Sequence, residues 1–393
     1  MKQGWEYKKL GEVCYPKNKI QRATKCFDTS DKIFYIDISS IDNTIQKMAD
    51  VISVTFGDAP SRAQQKVEYG DIIVSTVRPN LKNIAIIDRY ESNLVASSGF
   101  CVLRNTEHVE RNYLFHYITS DLFTQHLMKL TTGANYPAVR DQDVRDSIIP
   151  IPPKSTQLAI VSELDKINEL IRLKKEQLKD YDNLAQSIFY EMFGDPMENE
   201  KGWEVKKLND ICDVRDGTHD SPKYLQNSEY ILITSKNIVN GSIDFENVNY
   251  ISEEDYIKIN KRSKVDNGDI IMPMIGTIGN PIIAHIDGTN KFCIKNVALI
   301  KFLADSTVNN MFIVNLMRCS SFSSYLLNQN KGGTQKFVAL GAIRKLPIPL
   351  PPLPLQQLFA QHIEQIEHQK SEVAKAITDL ETLLASRMQH WFE

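Results

Sequence analysis

No run of about 18 apolar residues occurs in the chain, so a membrane-spanning helix is not expected. The opening residues Met1-Lys2-Gln3-Gly4-Trp5-Glu6 lack the apolar stretch of an export signal. Cysteine is sparse: Cys14, Cys26, Cys101, Cys212, Cys293 and Cys319 never form a CxxC pair. That spacing indicates neither a zinc site nor a disulfide framework, and it predicts reduced, mostly buried thiols. A glycine-rich phosphate loop, a G-x-G-x-x-G after a strand, an H-E-x-x-H and an Asn-Pro-Pro-aromatic motif are all missing. Asp195 to Lys201 has the residue types of a nuclease carboxylate–lysine motif at the wrong spacing. Asp216-Gly217-Thr218-His219-Asp220 is the one segment with the look of a catalytic loop. Its histidine has no counterpart earlier in the chain and reads as a binding or structural group. These absences predict a soluble cytoplasmic chain with no catalytic residue, metal or cofactor of its own.

What is present is globular in composition: 393 residues, 42% hydrophobic, net charge −3. That length suggests two or three domains. Comparing the chain with itself reveals a tandem repeat. Gly4-Trp5-Glu6-Tyr7-Lys8-Lys9-Leu10-Gly11-Glu12-Val13-Cys14 returns as Gly202-Trp203-Glu204-Val205-Lys206-Lys207-Leu208-Asn209-Asp210-Ile211-Cys212, at an offset of 198. Gly70-Asp71-Ile72-Ile73 matches Gly268-Asp269-Ile270-Ile271 at the same offset. Pro150-Ile151-Pro152-Pro153 and Gln157 match Pro349-Leu350-Pro351-Pro352 and Gln356 one residue further on. Four matches in one register define two copies, 4–194 and 202–393.

Each copy begins with short apolar, β-branched runs bounded by turn residues, such as 32–38, 71–75 and 270–272, which read as strands. Arg111 to Leu130 reads as an amphipathic helix, making this part a mixed α/β domain. A proline-rich hinge leads into a heptad pattern. In copy one its seam holds Leu164, Ile167, Ile171, Lys174, Leu178, Tyr181, Ala185, Ile188 and Met192. In copy two it holds Ile363, Ile366, Lys370, Val373, Ile377, Leu380, Leu384, Arg387 and Trp391. Such a pattern predicts a coiled-coil seam over about four heptads, stopped in copy one by Gly194-Asp195-Pro196. Apolar residues off the seam, among them Leu158, Leu173, Phe189 and Phe193, are expected to need a partner surface.

Charge divides along the same lines. Residues 1–150 sum to +1 and 201–346 to +3, while 151–200 and 347–393 sum to −4 and −3. The helices carry the deficit, which leaves nucleic-acid binding to the globular parts.

Two α/β domains, each followed by a proline hinge and a coiled-coil helix, resemble the specificity (S) subunit of type I restriction-modification systems. The carrying residues are Gly202-Trp203-Glu204-Val205-Lys206-Lys207-Leu208, Gly217-Thr218-His219-Asp220-Ser221-Pro222 and Gly268-Asp269-Ile270-Ile271 with Gly276-Thr277-Ile278-Gly279. Gly333-Thr334-Gln335-Lys336 leading into Leu346-Pro347-Ile348-Pro349-Leu350-Pro351-Pro352 completes the set. Its weaker counterpart is Gly133-Ala134-Asn135-Tyr136 leading to Ile149-Pro150-Ile151-Pro152-Pro153. Copy one departs from the pattern: it lacks the Gly-Thr-His segment and has Thr76-Val77-Arg78-Pro79-Asn80 in place of the glycine-rich loop.

The resemblance implies an α+β chain with target-recognition domains at 1–150 and 196–346 and spacer helices at 151–195 and 347–393. The helices would pair as an antiparallel coiled coil. Each domain would read half of a bipartite, gapped site in double-stranded DNA. Two methyltransferase (M) subunits would dock on the helices, and restriction (R) subunits would join through them. S-adenosylmethionine, ATP and Mg would reside on those partners, for a host-defence function. A stand-alone two-headed DNA-binding regulator is the alternative, separated by co-purification with a methyltransferase subunit. Base readout calls for Arg or Lys toward guanine and Asn or Gln toward adenine, carried on loops. The candidates are Arg78, Asn80, Lys82, Asn135, Tyr136 and Arg140 in copy one, and His219, Asp220, Lys236, Asn237, Thr277, Gln335 and Lys336 in copy two.

Overall fold

The computed structural model describes residues 2–132, 137–239, 241–276, 278–302, 307–329 and 337–393. The chain divides into two compact units, Met1–Lys175 with Lys375–Glu393, and Glu176–Ala374. Each unit therefore holds one globular copy together with half of each long helix.

In the first unit a four-stranded sheet runs in the order Ile52–Thr55, Lys32–Ile36, Leu94–Ser97, Ala63–Lys66. Its central pair is parallel and the flanking pairs are antiparallel. An antiparallel sheet of Phe100–Leu103, Ile72–Ser75 and Ile84–Ile86 is interleaved with it along the chain. Strand Ile72–Ser75 is buried at all four positions, which explains why it reads as a continuous apolar run. The pleat still sorts its side chains. Ile72 and Val74 join a core with Tyr113, Phe123 and Phe392, whereas Ile73 joins another with Ile36, Ala96 and Val102. Glu6–Lys9 pairs with Ile148–Ile151 and fastens the start of the domain to its hinge.

The second unit repeats this plan. Tyr230–Ile233 pairs in parallel with Lys291–Ile294, Val297–Lys301 with Ile270–Pro273, and Glu204–Lys207 with Pro347–Leu350. Ile270 and Met272 enter one core and Ile271 the other. One stretch departs. Strand Asn249–Tyr250 keeps the place of Ile52–Thr55, but where copy one has strand Ala63–Lys66 copy two has helix Glu253–Ser263.

The expected helix from Arg111 to Leu130 is broken into Arg111–Thr119 and Asp121–Leu130. Ser120 is extended, and its hydroxyl accepts from the Phe123 N–H, capping the second piece.

Lys154–Phe193 and Leu353–Phe392 are each 40 residues long. Within the first unit Glu163 pairs with Arg387 and accepts from the Trp391 indole, while Lys175 pairs with Glu381. Within the second, Asp182 pairs with Lys370, and Phe189 and Phe193 pack on Phe359. In both units rising numbers on one helix meet falling numbers on the other, so the pairing is antiparallel. Leu164, Ile167, Ile171, Ile363, Ile366, Val373 and Ile377 are buried, and Leu178, Tyr181, Ile188, Leu380 and Leu384 half-buried. The polar seam positions Lys370 and Arg387 carry interhelical ion pairs.

The off-seam residues divide into two pairs, and the expectation of a partner surface is overturned for one of them. Leu158 and Leu173 are exposed, at 50% and 45%. Phe189 and Phe193 are instead buried among Phe312, Phe359 and Val314 of the second core. A heptad describes only the face turned to the other helix, and here a second face is packed on the globular domain.

Candidate nucleic-acid interface

The residues that repeat between the copies build scaffold. Gly70 and Gly268 take left-handed backbone at φ +88° and +89°, which glycine adopts without the steric cost other residues bear. The aspartate that follows is buried and folds back to accept a backbone N–H, Glu68 to Asp71 and Asp266 to Asp269. Arg104 grips Asp71 with two bonds of 2.7 and 2.8 Å, and Lys301 grips Asp269 and Asp266. Burial alone lowers the Lys301 pKa, but the two carboxylates outweigh it and hold the ammonium above its ordinary value. Lys301 in turn depresses Asp266.

Gln157 and Gln356 are also scaffold. Both are fully enclosed, at 1% and 0% exposure. Gln157 accepts from the Glu110 N–H at 2.8 Å and donates to His108 O and Pro152 O. Gln356 accepts from the Asn309 N–H at 2.9 Å and donates to Thr307 O and Pro351 O. Each amide latches the start of a long helix to its own domain. The thiols behave as predicted. Five of the six are buried, and burial pushes Cys14, Cys212, Cys293 and Cys319 up to about 12. Among the described residues no group of three His, Cys, Asp or Glu side chains is placed to hold a metal ion.

The variable part of each copy is a concavity at one equivalent place. In the first unit a cavity of about 850 Å³ is lined by Lys17, Asn18, Gln21, Arg22, Lys25, Gln64, Gln65, Thr76, Ser98 and Asp141, among others. In the second a cavity of about 310 Å³ is lined by Asp216, His219, Met274, Asn296 and Leu340 with Ile275, Phe337, Val338 and Ala339. Asn18, Gln21, Thr76 and Ser98 stand 198 residues before Asp216, His219, Met274 and Asn296, and Asp141 stands 199 before Leu340. At these matched positions copy one presents amides, hydroxyls and a carboxylate where copy two presents a polar rim over Met274 and Leu340. Ile20 and Phe100 also line the first cavity, and Asp220, Arg262 and Ser263, the counterparts of Arg22, Gln64 and Gln65, line a separate cavity of about 420 Å³. On that rim His219 lies 2.8 Å from Asp216 and 3.1 Å from Asn296, and Arg262 also pairs with Asp216. Cations suit phosphates, amides suit adenine edges, and an apolar floor suits a thymine methyl.

The predicted readers fall into four groups. Arg78 and Asn80 are exposed beside Thr76, and His219 lines the second cradle next to exposed Asp220. Lys82, Arg140 and Asn237 hold structure. Lys82 bonds Thr119 O and Asp121, and Arg140 pairs with Asp143, whose carboxyl it depresses. Buried Asn237 accepts from Thr234 and donates to Asn247 O. Lys236 is exposed, away from either cradle lining. Asn135, Tyr136, Thr277, Gln335 and Lys336 lie outside the described residues. Sequence reading missed Gln21, Arg22, Lys25, Gln64, Ser98 and Asn296. The amide- and lysine-rich run 17–25 is the one sequence signal that could have found some of them.

A family model described as the type I restriction modification DNA specificity domain matches residues 2–180 and again 200–381. The chain belongs to this family. Among curated relatives, the type I restriction enzyme MjaIX specificity subunit of Methanocaldococcus jannaschii is 24% identical over 75% of this chain and 70% of its own length. The MjaVIII specificity subunit of the same organism is 23% identical over 69% and 68%. A solved chain described in terms of complex assembly and conformational transition of the type I R-M system is 26% identical, with a TM-score of 0.65 over 100% of this chain and 98% of that one. The S subunit from M. genitalium, at 12% identity and a TM-score of 0.52, shares the fold. As a specificity-family chain it has tandem recognition domains and paired long helices. Among the described residues no helix is long and apolar enough to cross a membrane.

Proposed function

We propose that this chain is the DNA-reading subunit of a type I restriction-modification assembly, with each globular copy reading one half of a bipartite, gapped duplex site. The observation that carries this reading is the pair of cradles: one scaffold used twice, with different chemistry at the same place. Two copies of one reader with different linings suit two different half-sites, as tandem readers on DNA require.

The long helices serve as the docking surface for two methyltransferase subunits, and restriction subunits join through these. Exposed Leu158, Leu170 and Leu173 on the first helix and Leu358 and Leu383 on the second supply apolar contact area. Catalysis, with S-adenosylmethionine, ATP and Mg, belongs to those partners. This chain's own residues bind and position DNA.

Co-expression with cognate methyltransferase subunits, followed by methylation mapping, tests the proposal. The expected result is a stable complex that methylates only sites with two fixed blocks separated by a constant gap. Sequence-specific duplex binding without any methyltransferase association would instead identify a stand-alone regulator. Methyl transfer by the isolated chain would contradict the assignment of chemistry to partners.

A further inference from the structure

The two copies differ at one backbone position in a way that space does not explain. Val77 bridges Ala138 as Ile275 bridges Phe337. The Val139 N–H donates to Thr76 O as the Val338 N–H donates to Met274 O. Residues 76–77 and 274–275, which leave strands Ile72–Ser75 and Ile270–Pro273, are therefore equivalent. The next position is left-handed in both: Gly276 at φ +79° and Arg78 at φ +50°. Left-handed backbone crowds the Cβ of an L-residue against the following carbonyl, and glycine escapes that cost. A Cβ added at Gly276 would meet nothing within 4 Å, so the surroundings of copy two would admit a side chain there. Glycine is what this backbone selects, and Arg78 is held against that selection.

The rest of the loop holds Arg78 in place. Its N–H donates to Pro137 O at 2.7 Å. Pro79–Leu81 form a single 3₁₀ turn, and Lys82, also left-handed at φ +49°, is tied through Nζ to Thr119 O and Asp121. Arg78 is exposed, two residues from Thr76 in the cradle lining. Bulky residues kept in left-handed backbone by an over-determined loop are characteristic of ligand contacts.

We propose that Arg78 is a base-reading residue of the first half-site, donating its guanidinium fork to O6 and N7 of a guanine. This rests on the DNA-reading function proposed above. A phosphate contact needs only a positive charge, which Lys17, Arg22 and Lys25 supply around the same cradle. Fixed backbone geometry matters for a bidentate contact to a base edge, where the planar fork must meet two acceptors together. Copy two, with Gly276, has no such reader at this position.

The test is selection from a random duplex library by the full chain and by the R78G and R78K variants, together with thermal unfolding of each. The wild type should enrich two sequence blocks. R78G should lose one guanine from one block, leave the other block intact, and bind the wild-type site about 5- to 150-fold more weakly. Relieved of backbone strain, it should melt about 2–4 °C higher. R78K, without the planar fork, should weaken the preference for the same guanine while holding its affinity for random duplex. Unchanged blocks in R78G would overturn the proposal, as would equal losses on selected and random DNA, which mark a phosphate contact. A lower melting temperature in R78G would overturn the strain argument. If the wild type enriched no sequence, the DNA-reading function itself would fall, and Arg78's role with it.

Discussion

One stretch of the repeat folds as strand Ala63–Lys66 in the first copy and as helix Glu253–Ser263 in the second, while the edge strand before it is kept as Ile52–Thr55 and Asn249–Tyr250. Local chemistry decides which. In copy two Ser252 caps the helix by accepting from the Asp255 N–H, acidic Glu253, Glu254 and Asp255 fill the first turn, and Lys261 and Arg262 the last. In copy one Gly57 and Pro60 interrupt any such helix. Both solutions cover the parallel strand pair, with Ala63 and Val54 against Ile33 and Val95, or Tyr256 and Ile259 against Leu232 and Cys293. The contrast teaches that a left-handed turn (Gly70, Gly268), a buried charge (Asp71, Asp269) and a buried amide (Gln157, Gln356) are kept in both copies. Covering elements and the cradle linings vary freely around that frame.

The largest effect should come from the second core. Phe189→Ala should cost about 3–5 kcal/mol in chemical denaturation, as for other buried aromatics. Leu158→Ala and Leu173→Ala should stay within about 0.5 kcal/mol and weaken methyltransferase association instead. A mild Phe189→Ala would mean that this face of the helix is not packed on the domain.

Next come the latches. Gln157→Ala and Gln356→Ala each strand one N–H and two carbonyls, and each should cost about 2–4 kcal/mol. The two values should agree to within about 1 kcal/mol, given the additive scatter of such measurements. A cost confined to one copy would show that the scaffolds are not equivalent.

Two glycines sharpen the comparison. A Cβ at Gly217 would lie 2.5 Å from Ile294 O, so Gly217→Ala should cost more than the ~1 kcal/mol expected for left-handed, open Gly276→Ala. Equal costs would contradict the close approach at Gly217.

The smallest effect is on pH dependence. Arg387 holds Glu163, and Lys301 holds Asp266, below their usual carboxylate range. A depressed folded-state pKa adds stability that is complete above the unfolded value of about 4 and fades as pH falls through the folded one. Melting temperature should therefore hold steady down to about pH 5 and decline below about pH 4. Glu163→Gln should shrink the decline contributed by the first unit, and Asp266→Asn that of the second. A decline unchanged by both variants would assign it to other groups.

Much of the frame was legible in the sequence, because local rules wrote it. The repeat offset identified Gly70 with Gly268 and Gln157 with Gln356, and heptads located the seam from Leu164 to Ile188 and from Ile363 to Leu384. Their interruptions at Lys370 and Arg387 proved to be ion-paired positions. The cradles were not legible, since each gathers residues from several separate segments that only sheet topology brings together. Ser120 broke a helix that hydrophobic periodicity alone ran straight through. Asn237 looked like a reader by residue type, but its buried amide holds a turn.

The central claim is that the two cradles act independently, one per half-site. Methylation mapping with the chain assembled on its methyltransferase subunits tests it, comparing wild type with a His219→Ala/Asn296→Ala double variant in the second cradle. The account predicts altered preference in one half-site, with the other half-site and the gap unchanged. Changes in both half-sites, or in neither from an active complex, would contradict it.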